Sequence, residues 1–355
     1  MVASLKIGHL YHIENAVLGR PDFNDSFCSP ISSVHSNTQR AEIDPALYAH
    51  VYHLLGSNPT RFTSDLRFYI ASACTFFDGQ PQAQLINVPS DANTDFKKRL
   101  SEDMGVALAS TFMSAAFDIC WESISQIPAN SKLSKKRPDF QSYRRGDTVK
   151  PYIFEAKGTT MLSSVEKATS SGLQQAKGYP VASHAKLVLT SYLSADSRYF
   201  PSATFVIDPP GPSSEYIDSD ISILLHFEKT LQFAGLLKTS ALYISLLSKL
   251  LKDGKMRIAS TQEMSYRQRL EAQALREAYE EESRDIQSLS TDNREYIGQR
   301  YEIKGATLFF GADRDKIENG IKFTPSEVEY EQRQITGESS LRSHLDDGTL
   351  FDMRI

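Results

Sequence analysis

No apolar run in the 355 residues approaches the roughly 20 that a bilayer helix needs. The start, MVASLKIGHLYHIENAVLG, lacks the basic head, apolar stretch and small-residue cleavage site of an export signal. The chain therefore reads as soluble, unexported and cytoplasmic. Cysteine is scarce: Cys28, Cys74 and Cys120 are odd in number, far apart and without a CxxC pair, which fits neither a disulfide framework nor a structural zinc site. There is no GxSxG and no GxxxxGK[ST], so neither a nucleophile-elbow hydrolase nor a self-powered NTPase is supported. Internal repeats and long low-complexity tracts are also missing.

What is present is the balance of a globular protein, 40% hydrophobic, 23% charged and 10% aromatic, long enough for one large or two ordinary domains. The net charge of -5 speaks against a general nucleic-acid packager. Distribution qualifies this, because residues 131–190 hold eleven Lys and Arg against four Asp and Glu, a local excess of +7. Such a concentration suits a polyanion-binding surface, whereas charge spread evenly would suit a solvated face.

Along the chain, Asp44 followed by Pro45 predicts a capped helix over 45–55. The apolar run 66–77 could be helix or strand. From 95 to 117, with Thr94 as cap, Phe96, Leu100, Met104, Leu108 and Phe112 recur every four residues and predict an amphipathic helix. CWESISQI, RPDFQSY and VKPYIFEAKG then read as strands joined by hairpin-type connections. Ser163 and Glu166 have capping-box spacing and open a helix running to about Tyr179. AKLVLTSYL and ATFVIDPPG are two more strands. Beyond 219 the pattern is largely helical, with Gly235 as a break, a charged helix over 261–289 bearing Leu275, Tyr279, Ile286 and Leu289 on one side, and short terminal strands such as ATLFFG. That last helix is expected to support self-association, giving a homodimer or a partner-protein contact. The fold class is α/β, divided as an accessory or target-recognition region 1–90, a core 91–212 and a helical C-terminal region 213–355.

The tetrapeptide RPDF occurs twice, at 20–23 and 137–140. In VKPYIFEAKG, strand alternation puts Glu155 and Lys157 on one face. Asp139 precedes Glu155 by 16 positions with the turn-like RRGD between them, so an antiparallel hairpin can bring the two carboxylates together. Such a pair repels in low dielectric and calls for a cation. Oxygen-only ligation suits Mg²⁺, with Mn²⁺ as a substitute.

Pro138-Asp139 followed by Glu155-Ala156-Lys157 resembles the signature of the PD-(D/E)XK nuclease superfamily, over about residues 95–210. Gln175 and Tyr179 on the next helix are similar to the QxxxY motif of its RecB-type branch. The resemblance implies a restriction-endonuclease-like core, a mixed central sheet flanked by helices, and metal-dependent phosphodiester hydrolysis. It implies that Asp139, Glu155 and the Ala156 carbonyl hold metal, that Lys157 assists the attacking water, and that Gln175 and Tyr179 shape the site and contact substrate. An acid on the preceding helix, Asp103 or Glu102, is expected to complete the metal shell, Asp103 being better aimed inward. Lys136, Arg137, Arg144, Arg145 and Lys177 are the expected nucleic-acid contacts. DNA is the expected substrate, RNA stays open, and restriction or antiphage defence is the context by analogy. A recombination or repair nuclease, or a non-cleaving nucleic-acid binder on the same core, are the alternatives.

Several look-alikes are set aside. The first RPDF has no strand bearing ExK within hairpin reach and reads as a loop. Glu302-Ile303-Lys304 repeats ExK without a Pro-Asp before it and reads as a structural strand with a surface ion pair. The pairs His9/His12 and His50/His53 lack a neighbouring acid or cysteine. Arg145-Gly146-Asp147 reads as turn chemistry.

Overall fold

A computed structural model describes residues 7–31, 37–56, 94–127, 137–147, 150–179, 181–194, 202–209, 219–252, 266–291, 293–303, 306–322 and 340–354. The chain divides into two compact units, Met1–Ser219 and Asp220–Ile355. Of the expectations above, those for 66–77, Cys74, Lys136 and Lys304 fall outside the described residues.

The first unit is a mixed sheet of eight strands flanked by helices. In chain order it runs β1 (Ile7–Ile13), α1 (Asn15–Leu18), β2 (Ser29–Pro30), β3 (Thr38–Ile43), α2 (Pro45–Leu55), α3 (Thr94–Phe117), β4 (Ser125–Gln126), β5 (Phe140–Ser142), β6 (Tyr152–Thr159), α4 (Val165–Lys177), β7 (Ala185–Tyr192) and β8 (Ala203–Ile207). Across the sheet the order is β2-β3-β1-β8-β7-β6-β5-β4. From α3 to β8 the succession helix, three strands, helix, two strands is the one the sequence pattern led us to expect. The accessory region expected over 1–90 is not set apart, because β1 pairs in parallel with β8 and antiparallel with β3, joining the same sheet. A strand that alternates less cleanly than VKPYIFEAKG gave no sign of this partner.

Local chemistry explains most helix limits. The Asp44 carboxylate accepts from Ala46 N–H at 2.8 Å and Pro45 occupies the first turn, as anticipated. On α3, Leu100, Met104, Leu108 and Phe112 are all buried, so the four-residue stripe does face the core. The capping box is not formed: a tight turn over Leu162–Ser164 runs directly into α4, and Ser164, already in helical conformation, makes no side-chain cap. Helix α4 ends at Lys177, where Gly178 N–H returns to the Gln174 carbonyl, two residues short of Tyr179.

Helix α3 lies on β6 backbone to backbone. A Cβ at Gly158 would stand 1.6 Å from the Ser101 carbonyl oxygen, and one at Gly105 would stand 2.9 Å from that of Lys157. Neither clash can be relieved by turning a side chain. Gly158→Ala is therefore expected to cost at least about 3 kcal/mol, the upper range for overpacking, read as a fall in the urea midpoint.

The second unit carries α5 (Ser219–Phe233), α6 (Leu237–Lys252), α7 (Tyr266–Asp285), β9 (Gln287–Thr291), β10 (Arg294–Ile303), β11 (Ala306–Asp313), α8 (Arg314–Ile321), β12 (Ser340–His344) and β13 (Thr349–Arg354). Its five strands form an antiparallel sheet in the order β12-β13-β11-β10-β9, so this region is less helical than expected. Gly235, at φ +84°, does break the helical run between α5 and α6. The charged helix stops at Asp285, and Leu289 lies on β9 instead of extending the helical stripe. Leu275 and Tyr279 are buried with Leu236, Tyr243, Ile297 and Ile317 inside the unit. That stripe is consumed internally, which removes the reason for expecting it to mediate self-association.

Among the described residues no helix is long and apolar enough to cross a membrane. Cys28 and Cys120 form no disulfide.

Candidate active site

The β5–β6 hairpin brings Asp139 to the strand that bears Glu155 and Lys157. Phe140 pairs with Phe154, and just beyond that rung the Asp139 Oδ2 accepts from Ala156 N–H at 3.2 Å. Continuing the register by two places sets Pro138 opposite Ala156. Proline has no N–H, so the ladder offers no donor to the Ala156 carbonyl, which points to the same edge as its N–H. Proline before the aspartate thus gives the Ala156 carbonyl no ladder donor, while the Asp139 side chain takes the N–H beside it.

Glu155 is fully buried, and Lys157 ion-pairs with its Oε1. Helix α4 lies close above it because Gly172 has no side chain; a Cβ there would meet Val188 Cγ1 at 2.7 Å and Glu155 Cγ at 3.2 Å. Burial, and after it the neighbouring Asp139, push the Glu155 carboxyl up to about 8, with Lys157 opposing. Burial also raises Asp139, against the pull of Lys157, the Ala156 N–H and Arg137. The half-buried Asp139 carboxyl hydrogen-bonds the buried Glu155 carboxyl, and a pair so close resists carrying two charges without a further cation.

Gln175 donates from Nε2 to the Arg137 carbonyl at 3.0 Å, so it fixes the approach to Asp139. Tyr179 does not share a helical face with it. Lying beyond the end of α4, Tyr179 is fully buried among Ile127, Ile153 and Val181, and its carbonyl accepts from Lys186 Nζ.

Asp103 does not join the carboxylate pair. It is two residues from both Ser101 and Gly105, which face β6, and two residues turn a helix by about 200°. Its carboxylate instead receives the Tyr52 hydroxyl of α2 at 3.5 Å. Glu102 is the acid nearer β6: its backbone N is 3.1 Å from where a Gly158 Cβ would be.

The local excess of +7 does not form one face. Arg144 and Arg145 sit on the β5–β6 turn, at the far end of the hairpin from Asp139, where Arg145 pairs with Asp118 at 3.5 Å. Lys186 is buried. Arg137, Lys157 and the exposed Lys177 stay with the carboxylate end, while Lys132, Lys135 and Lys136 lie outside the described residues.

The first RPDF is a loop, but a tightly held one. Arg20 binds Asp22 at 3.0 and 3.1 Å, Asp208 at 3.0 Å and the His184 carbonyl at 2.7 Å, and the Tyr152 hydroxyl donates to Asp22 at 2.5 Å. Asp22 thus secures the opposite end of β6. Glu302 lies exposed on β10 and accepts from Thr307 at 2.8 Å. His9 and His12 are on a strand, bound to Thr204 and Thr38, and Gly146 at φ +76° makes the RGD segment a turn.

Among the described residues no three His, Cys, Asp or Glu side chains gather as a metal-binding group. The donor set of Asp139, Glu155 and the Ala156 carbonyl nevertheless fits a hard cation. It is all oxygen, two members are neighbouring carboxyls that burial raises in pKa against the pull of Lys157 and Arg137, and the third is a carbonyl whose place in the ladder falls opposite a proline. Gly105, Gly158 and Gly172 went unread as parts of the site; an isolated glycine in a strand or helix pattern was the available signal of close backbone approach. No family model matches the chain, and neither a curated protein nor a solved structure matches it.

Proposed function

We propose that the chain is a Mg²⁺-dependent nuclease of the PD-(D/E)XK type, with a restriction-endonuclease-like core in its first unit and DNA as substrate. The observation that carries this reading is the seat of Asp139 on the Ala156 N–H, beside the buried Glu155–Lys157 pair. Asp139, Glu155 and the Ala156 carbonyl are the residues to hold the ion. When bound, Mg²⁺ supplies a Lewis acid that polarises the phosphodiester and lowers the pKa of a water. Lys157, part-exposed and next to both carboxylates, is the group placed to orient that water and offset charge on the pentavalent phosphorus. Gln175 holds the segment leading to Asp139, and Tyr179 packs on Ile153 of the strand that carries Glu155. Restriction or antiphage defence is the context the family resemblance favours.

The test is incubation of the purified chain with plasmid and Mg²⁺, alongside Glu155→Ala and Lys157→Ala. Nicking or linearisation by the wild type, lost in both variants and in EDTA, is the expected result. Absence of cleavage by the wild type sinks the enzyme reading and favours a binding protein on a nuclease core; cleavage that survives both substitutions sinks the site.

A further inference from the structure

Among the described residues of the first unit only two large apolar side chains are well exposed, and they are consecutive: Met161 at 61% and Leu162 at 42%. Both follow the strand that carries Glu155 and Lys157. Isolated surface hydrophobics need no explanation, but an adjacent pair on a fixed turn does. This turn is fixed. Met161 N–H donates to Thr159 Oγ1 at 3.1 Å, that hydroxyl donates to the Met161 carbonyl at 3.3 Å, and Ser164 N–H reaches the same carbonyl at 3.0 Å. Leu162–Ser164 then enters α4 without a break.

We propose that Met161 and Leu162 form an apolar tip that presses against the nucleobases of a duplex held at the carboxylate pair and unstacks the step beside the phosphate to be cut. This rests on the nuclease reading. Three residues separate Lys157 from Met161, so the two lie at most about 14 Å apart along extended chain, comparable with the roughly 12 Å width of a major groove. No excess of negative charge stands at the tip to repel a polyanion: in residues 158–167 Glu166 is the sole acid, offset by Lys167, and the tip is bordered by Thr160, Ser163 and Ser164. Apolar side chains wedged between base steps unstack them, and that contact is indifferent to sequence.

The experiment uses the full chain and the double variant Met161→Ser/Leu162→Ser, whose exposed positions leave the fold intact, checked by an unchanged melting temperature. Unstacking is read as a rise in 2-aminopurine fluorescence at the mapped cut step, in a Lys157→Ala background so that the duplex stays whole. The double variant is expected to lose that rise. It is also expected to cut the matched duplex about tenfold or more slowly in kcat/KM, the scale of one lost base contact, and to recover on a duplex mismatched at that step. A double variant that keeps both the rise and matched-duplex cleavage overturns the tip, and a changed sedimentation coefficient alongside would mark the two side chains as a protein contact. A wild-type chain that neither binds nor cuts duplex overturns the nuclease reading itself, and the tip with it.

Discussion

Asp139→Ala is expected to lower Mg²⁺-dependent kcat/KM by about a thousandfold or more, the scale of losing one preorganised charge, while leaving the fold largely intact. Asp22→Ala, in an identical tetrapeptide, should do the reverse. The reason is in the partners. Asp139 is raised in pKa by burial and is held by the Ala156 N–H and by a hydrogen bond with the Glu155 carboxyl, which keeps Lys157 when Asp139 is removed, so its removal costs the fold little. Asp22 is held below the usual carboxylate range once its Arg20 and Tyr152 bonds outweigh burial. Removing it takes one partner from the half-buried Arg20, which keeps Asp208 and the His184 carbonyl, and leaves the buried Tyr152 hydroxyl without its acceptor, at about 1–3 kcal/mol. Nicking rates at 25 °C together with urea midpoints for the two variants decide the matter. A cleavage-competent Asp139→Ala beside an inactive but stable Asp22→Ala would move the site to the other end of β6.

Much of this geometry could be read before any coordinates, and what could not follows a pattern. Periodicity that serves one element is local, which is why Leu100, Met104, Leu108 and Phe112 predicted a buried stripe and YIFEAK predicted that Glu155 and Lys157 share a face. Cap chemistry is local too, as Asp44 shows, yet Ser163 and Glu166 had the right spacing and formed nothing, because a preceding turn had already supplied the helix with its start. Helix ends set by a change of partner were not legible: the run EEESRD favours a helix as far as it goes, and only pairing with β10 turns the next residues into a strand. Direction around a helix failed for Asp103, since its nearness to Leu100 in sequence said nothing of α2 arriving on that side with Tyr52. Charge counted along the chain failed most plainly, merging Lys177 at the site with Arg145 at the far turn and Lys186 in the interior.

Glu155→Gln should separate function from stability, abolishing cleavage while making the metal-free protein more stable near pH 8. Burial and Asp139 lift the Glu155 carboxyl from its ordinary 4.5 to about 8. Between these values the folded chain keeps a proton that the unfolded chain has released, so in EDTA wild-type stability falls as pH rises, by up to about 1.4 kcal/mol per pH unit, and levels off above about 8. Glutamine keeps the shape and has nothing to ionise. The variant's stability should therefore lack that fall, and near pH 8 it should exceed the wild type by about 2 kcal/mol or more, because Lys157, 26% exposed, can still be hydrated once its partner is neutral. Excess Mg²⁺ should restore the wild type, which gains a cation between its carboxylates, and leave the variant little changed. Urea midpoints at about pH 5 and pH 8, with EDTA and with Mg²⁺, give the four comparisons. A flat wild-type profile, or a variant weaker than the wild type at pH 8 in EDTA, would mean that Glu155 is a satisfied structural residue. The expected crossing would mean that the fold holds a destabilising charge where only a bound cation relieves it, as a catalytic carboxylate requires.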